Sequence, residues 1–403
     1  MGIYSKGSSN YKLGIADSWI KALTELVTNS HQNYHDMIDD PAYVISEKPT
    51  IVIIANSVAE TFTVLDHGTG IAGTGKELET LLMDYSAYIQ KSHTPKGRSS
   101  FGRGMSDVLF RKKEYTNSLI AIKNGNCIAA KAHWTDKGPT FSQDTTLTEK
   151  QILAELGEHG TSVTFNWNSN IEPQNFPTKK SILDSLSKYY ELKTVLHDTE
   201  VDVILLYLDG KQTPEPKKLE FINADKNATL IDTVTDIQLD IDPKYDIRII
   251  SANIFRSKIP LNQERGESRT GGLFVEGEHG QIFDLTLFDH EKNYRTAALR
   301  IIGDVILSED AKRYMDDFYT KHGETVLTRT REGFSGKTKF YKELKKKLEP
   351  WLINILEKES QTSSSSASDK FSDAIKMLND IAKKLLDVKN LEPDPTVIGG
   401  CQT

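Results

Sequence analysis

The sequence predicts an α+β fold: a first domain in two layers, antiparallel strands with helices on one side, followed by a second mixed domain. Two patterns carry that expectation. Trp19, Ile20, Leu23, Leu26 and Val27 recur at helical spacing and mark an amphipathic helix over 16–38. The runs 50–54 and 61–65 are apolar, β-branched and separated by a short turn, which reads as a hairpin. At 403 residues the chain has room for two or three domains, each with its own core.

The remaining elements follow in order. A helix is expected over 76–85. The polar, glycine-containing stretch 86–100 reads as a loop or lid, and a short helix starts near Gly104. Strands at 118–123, 127–133 and 161–167 complete the first domain, assigned to 1–175. A second domain is expected from Pro177, over 176–359. It has a helix at 179–192 and strands at 201–208, 246–254 and 272–276. Helices follow at 296–305, 309–320 and 339–358. The serine run at 360–369 cannot bury apolar area and reads as a flexible linker. Beyond it, Phe371, Ile375, Leu378, Ile381 and Leu385 form an amphipathic stripe in 370–403. It reads as a helix docked on the body, or as a partner or dimer helix.

Composition narrows the class. Apolar residues are 37 % and charged residues 27 %, as in a soluble globular protein. The net charge of −7 argues against a dedicated nucleic-acid coat. Cys127 and Cys401 are the only cysteines, so no disulfide framework is expected and a reducing compartment fits. No apolar run is long enough to span a bilayer, and the first residues carry no signal-peptide core. The expectation is a cytoplasmic protein without a membrane partner.

Four stretches carry chemistry. In E-L-V-T-N-S, Glu25 and Asn29 are four apart and leave the same helix face. The carboxylate can take a proton from an attacking water, and the carboxamide oxygen can ligate Mg²⁺. In D-H-G-T-G, Asp66 ends a strand and can accept from an exocyclic amino group such as that of adenine. Gly68 and Gly70 let the backbone approach a flat base. In K-G-R-S-S-F-G-R-G-M-S, Gly97, Gly102 and Gly104 flank Phe101 and Arg103 just before a helix. Their backbone N–H groups suit phosphate oxygens. In H-G-T-S-V-T-F, Thr161 opens a strand, and its hydroxyl could hold a water beside Asp66. Each stretch alone also fits a bland element: an exposed helix face, a strand-exit turn, a surface loop, a strand start. The run has neither the P-loop spacing nor a dinucleotide fingerprint.

Together, in this order, the four stretches resemble the GHKL superfamily of ATPases: gyrase-type topoisomerases, heat-shock chaperones, sensor histidine kinases and MutL mismatch-repair proteins. The resemblance covers about residues 10 to 170 and implies the Bergerat-type α/β sandwich. It implies ATP and Mg²⁺ as ligands, Glu25 as general base and Asn29 as metal ligand. Asp66 reads adenine beside Gly68, Gly70 and Thr161. Gly97, Phe101, Gly102, Arg103, Gly104 and Met105 form the phosphate lid. One position departs: many members carry Asp three residues after the Asn, and here it is Gln32. The region 177–345 then corresponds to a transducer domain, which lends a lysine to the γ-phosphate. G-K-T-K-F at 336–340 looks like that loop, with Lys339 as the catalytic lysine and Lys337 and Arg331 as close alternatives. A solvated basic helix start is the competing reading. R-T-G-G-L-F-V at 269–275 resembles an uncharacterised bacterial branch.

The resemblance implies an ATP-driven conformational switch or clamp that closes a lid, dimerises with ATP and works on a partner protein or nucleic acid. DNA transactions, phage defence and chaperone-like roles are the settings it names. A nucleotide-sensing interaction module with little turnover is the alternative. A sensor kinase fits poorly, because no phosphoacceptor helix precedes the pocket.

Overall fold

The computed structural model describes residues 18–45, 47–71, 104–211, 213–223, 225–262, 269–278, 280, 282–284, 294–322, 325–328 and 333–361. The expected helix at 76–85, the expected lid at 86–100, and the Ser-rich linker and terminal helix beyond 361 lie outside these residues. The fold is mixed α/β with two mixed sheets.

Helix α1 (Trp19–Ile38) begins where Ser18, in extended conformation, accepts a hydrogen bond from the Lys21 amide. Its buried face, including Leu23, Leu26 and Val27, packs on a sheet formed by β1 (Thr50–Asn56), β2 (Thr61–Asp66), β3 (Asn117–Lys123), β4 (Asn126–Thr135), β5 (Gly138–Gln143), β6 (Gly160–Asn166), β7 (Asp202–Leu208) and β8 (Lys217–Lys218). The order is β5-β4-β3-β6-β2-β1-β7-β8. The β1–β2 hairpin has the alternating burial that its sequence predicts. Helix α2 (Gly104–Leu109) starts where expected. Behind it, buried Arg111 pairs with buried Glu172 and lies 4.4 Å above the Trp167 ring. Strand β5 and α3 (Glu149–Leu156), with its Thr148–Gln151 capping box, had no expected counterpart.

The first sheet runs past the expected boundary near residue 177. Helices α4 (Lys179–Lys188) and α5 (Lys193–His197) lead into β7, which pairs in parallel with the whole of β1. Val203, Leu205 and Leu219 enter the same core as α1. The strand expected at 201–208 thus belongs to the first unit, because the open edge of β1 pairs with its backbone.

The second sheet comprises β9 (Thr229–Gln238), β10 (Arg248–Arg256), β11 (Gly272–Gly277), β12 (Ile282–Asp284) and β13 (Ile301–Leu307), in the order β12-β11-β13-β10-β9. The helix expected over 296–305 is wrong. Only α6 (Arg295–Ala298) is helical, and Ile301–Leu307 is a strand buried at every second residue. The run I-I-G-D-V-I-L is β-branched, and a Cβ on Gly303 would stand 2.5 Å from the Asn253 carbonyl oxygen, so close strand packing overrides helix periodicity here. Helix α7 (Glu309–His322) and helix α8 (339–361) complete this unit. Phe340, Leu344, Leu348, Leu352 and Leu356 form the buried stripe of α8.

Among the described residues, the contacts that join the units include an aromatic stack and an ion pair. Tyr190 stacks on Phe274 with centroids 3.5 Å apart, and Lys193 pairs with Glu276 at 3.3 Å. Within the first core, fully buried Phe62 stacks against Trp19, Phe165 and Phe176 at 6.0, 5.2 and 4.7 Å. Phe62→Ala should therefore cost about 3–5 kcal/mol of unfolding free energy, read from denaturant midpoints. A loss below about 1 kcal/mol would contradict this packing.

Candidate functional site

The candidate site forms where the end of β2 meets α1 and the start of β6. Asp66 closes β2 and is 2 % exposed. One carboxylate oxygen accepts from the Ser30 hydroxyl at 2.6 Å, the other from the Gly68 amide at 3.0 Å. Each oxygen keeps a further lone-pair direction for a donor. Burial pushes this carboxyl up to about 6, against the lowering effect of those two hydrogen bonds.

Thr161 stands directly opposite Asp66 in the β2–β6 ladder, so the two side chains share a face of the sheet. The Thr161 hydroxyl is buried with no hydrogen-bond partner among the described residues. A buried hydroxyl without a partner is costly and marks a place for a water or ligand atom.

The glycines here have a structural reason that the sequence reading did not assign. Gly70 has φ +68°, and a Cβ on it would stand 1.9 Å from the Ile122 carbonyl oxygen. A Cβ on Gly68 would stand 2.8 Å from Asn33 Cβ. Both glycines therefore serve the protein's own close packing first. Tyr34 fixes the next residue: its hydroxyl accepts from the His67 amide at 2.8 Å and donates to the Thr50 carbonyl at 2.9 Å.

Glu25 and Asn29 are both half-buried on α1. A Cβ on Gly104 would stand 1.8 Å from Glu25 Oε2, so the first residue of α2 must be glycine for the carboxylate to keep its position. Met105 follows and packs at the edge of the first core. The structure thus gathers Glu25, Asp66, Gly68, Gly70, Gly104 and Thr161 around α1 and the end of β2, with Asn29 one turn along the helix from Glu25. Gly97, Phe101, Gly102 and Arg103 lie outside the described residues, as does Arg331.

Lys339 is not brought to this group. Its ammonium donates to the Ile241 carbonyl in the second unit, and no described residue of the site is among its partners. Lys337 is exposed. Gln32, at the position of the departure, donates to Asp36 at 2.8 Å along α1. Ser30 and Tyr34 were missed as site residues. Ser30 ends the first motif and falls on the turn after Glu25, which was the available signal; Tyr34 had none.

Comparison with models of known protein families finds no match, and no curated protein matches the chain.

The buried carboxyl gives a pH signature. In the unfolded chain Asp66 ionises near its ordinary 3.8, and in the folded protein near 6. Between these values the unfolded state binds fewer protons, so this group lowers stability as pH rises from about 4 to about 6. The cost, about 3 kcal/mol, is complete above that window. Asp66→Asn has no such titration. Urea unfolding at pH 4 and 7 should show the parent losing stability relative to the variant as pH rises. Parallel pH curves would mean that the carboxyl does not carry this burial cost.

Proposed function

We propose that this protein is a Mg²⁺-dependent ATPase of the GHKL type, with a Bergerat-type first domain and a transducer-like second one. On this reading it works as an ATP-driven switch or clamp on a protein or nucleic-acid partner and dimerises with ATP. One observation carries the proposal: a buried strand-end carboxylate, Asp66, held by Ser30 and the Gly68 amide directly across from the Thr161 hydroxyl, which has no partner among the described residues. An amino group of a flat base paired with a bridging water is the ligand that satisfies both.

The residues present fit the metal. Asn29 offers a carboxamide oxygen, the donor atom type that the hard cation Mg²⁺ takes, on the helix face that carries Glu25. When bound, the ion would neutralise phosphate charge. Asp66 accepts the base amino group and orients the nucleotide. Glu25, its carboxylate placed against Gly104, takes the proton from the attacking water. Gly104 lies on the phosphate side of the pocket. The setting is a compartment without membrane contact; among the described residues, no helix is long and apolar enough to cross a membrane.

A second reading, a nucleotide-sensing module with little turnover, is favoured by one observation. The Lys339 ammonium is taken by the Ile241 carbonyl, so a switch that uses it needs that hydrogen bond to break when nucleotide binds.

Paired variants test the proposal. Asp66→Ala should abolish ATP binding in calorimetry. Glu25→Ala should keep binding and lose turnover by about 10²–10⁴-fold. Binding by Asp66→Ala at the parent's affinity would remove the pocket assignment. Negligible turnover in the parent, with ATP binding intact, would leave the sensing module.

A further inference from the structure

On the side of α1 away from Glu25 and Asn29, three metal-ligating side chains converge. His31 and His35 are one turn apart on the helix, so their rings leave the same face. Both Nε2 atoms point at one oxygen of Asp198, at 2.6 and 2.7 Å. The ring centroids are 4.5 Å apart and the rings are tilted by 53°. The three ligand atoms lie within 4.8 Å of one another. We infer that His31, His35 and Asp198 form a binding site for a zinc-class divalent ion, distinct from the proposed nucleotide pocket.

The donor set is the first argument. Two imidazoles and one carboxylate are borderline ligands that suit Zn²⁺ and Co²⁺ and hold Mg²⁺ or Ca²⁺ weakly. The second is convergence. A lone hydrogen bond to Asp198 needs one imidazole; two rings aiming the same nitrogen at one point is what a metal ion requires. In a tetrahedral zinc site with bonds of about 2.0–2.1 Å, neighbouring donors stand about 3.3 Å apart. The observed separations are some 0.6 Å shorter, which a small rotation of the half-exposed His35 ring and a matching shift of the Asp198 carboxylate away from His31 would relieve. In that exchange each neutral imidazole changes tautomer through solvent, losing the proton at Nε2 and gaining one at Nδ1, so that the Nε2 lone pair faces the ion.

Outer contacts support the same site. The other Asp198 oxygen accepts from the Glu200 amide at 2.7 Å, which orients the carboxylate from behind. The exposure is graded. The His31 side chain is 1 % exposed, Asp198 13 % and His35 31 %, so two ligands are anchored and the third faces water. An ion can enter on the His35 side, and water completes its coordination.

The site's place in the fold gives it a task. Asp198 follows α5 directly, and the same segment carries Tyr190 and Lys193, which touch Phe274 and Glu276 of the second unit. An ion held here pins α1 to the segment that meets β11.

Metal titration of the full-length protein, stripped with a chelator and free of nucleotide, tests the inference. The parent should bind one equivalent of Zn²⁺ or Co²⁺ by calorimetry, and Co²⁺ should show the visible bands of a tetrahedral site. An excess of Mg²⁺ should not compete. His35→Gln and Asp198→Asn should each lose at least about 100-fold in affinity, since even outer contacts are worth about 10–100-fold. His35→Cys, which keeps three ligands, should retain binding and add a thiolate-to-cobalt charge-transfer band. Because His35 faces solvent, both His35 variants should melt close to the metal-stripped parent. A parent that binds no Co²⁺ overturns the inference, and so does one-equivalent binding that survives both His35→Gln and Asp198→Asn.

Discussion

Burying the Asp66 carboxylate at the end of β2 is the constraint on which the first unit depends. An ionised carboxylate out of water is costly, and among the described residues two donors offset that, the Ser30 hydroxyl and the Gly68 amide. Ser30 must reach it, so α1 has to cross the sheet at this point. Gly68 must fold back on it within two residues, so the chain turns sharply against Asn33. Gly160 has φ +143°, and a Cβ there would stand 2.3 Å from the Asp66 carbonyl oxygen, so β6 can enter beside the carboxylate only as glycine. Tyr34 ties the His67 amide to β1 through the Thr50 carbonyl. A helix, two strands and three glycines are thus arranged around one acid whose hydrogen-bonding capacity is not exhausted. That cost is what the proposed ligand at Asp66 would offset.

The second constraint is how the two units meet. The contact passes through the short segment after α4, where the Tyr190 ring lies on Phe274 and Lys193 reaches Glu276. The same segment returns the chain to β7 and, through Asp198, holds the back of α1. The helix that carries Glu25 therefore touches, on its other face, the strip of chain that bears on the second sheet. A switch needs two sites connected by packed elements with more than one arrangement. On the proposed reading, the hydrogen bond from Lys339 to the Ile241 carbonyl would have to belong to one such arrangement.

The elements with strong local signals were legible in the sequence. The periodicity of α1, the alternation of β1 and β2, the start at Gly104 and the stripe of α8 each reflect burial of one face, which local spacing records. Two assignments failed for non-local reasons. Ile301–Leu307 is a strand because β10 and β11 flank it, and R-T-A-A-L-R before it carries helix-forming residues that prevail for only four positions. Asp202–Leu208 joins the first sheet because β1 offers an edge some 150 residues earlier, which no local window contains. The motifs were legible as residue types in order, and the structure places Asp66, Gly68, Gly70 and Thr161 at the end of β2 and Gly104 against Glu25 on α1. Asp198 was not legible at all, since its partners on α1 lie 167 and 163 residues away. The glycines of D-H-G-T-G were read as room for a flat base, with a strand-exit turn as the alternative; in the structure Gly70 also meets the Ile122 carbonyl of β3 and Gly68 meets Asn33 of α1.

The central claim, a base-reading pocket at Asp66, is tested most directly by a crystal structure of the protein with Mg²⁺ and a non-hydrolysable ATP analogue. The account predicts the exocyclic amino group within hydrogen-bond distance of the Asp66 carboxylate, a water between the ring and Thr161 Oγ1, and the metal on Asn29. A nucleotide seated elsewhere, with Asp66 bonded only to Ser30 and Gly68, would contradict it.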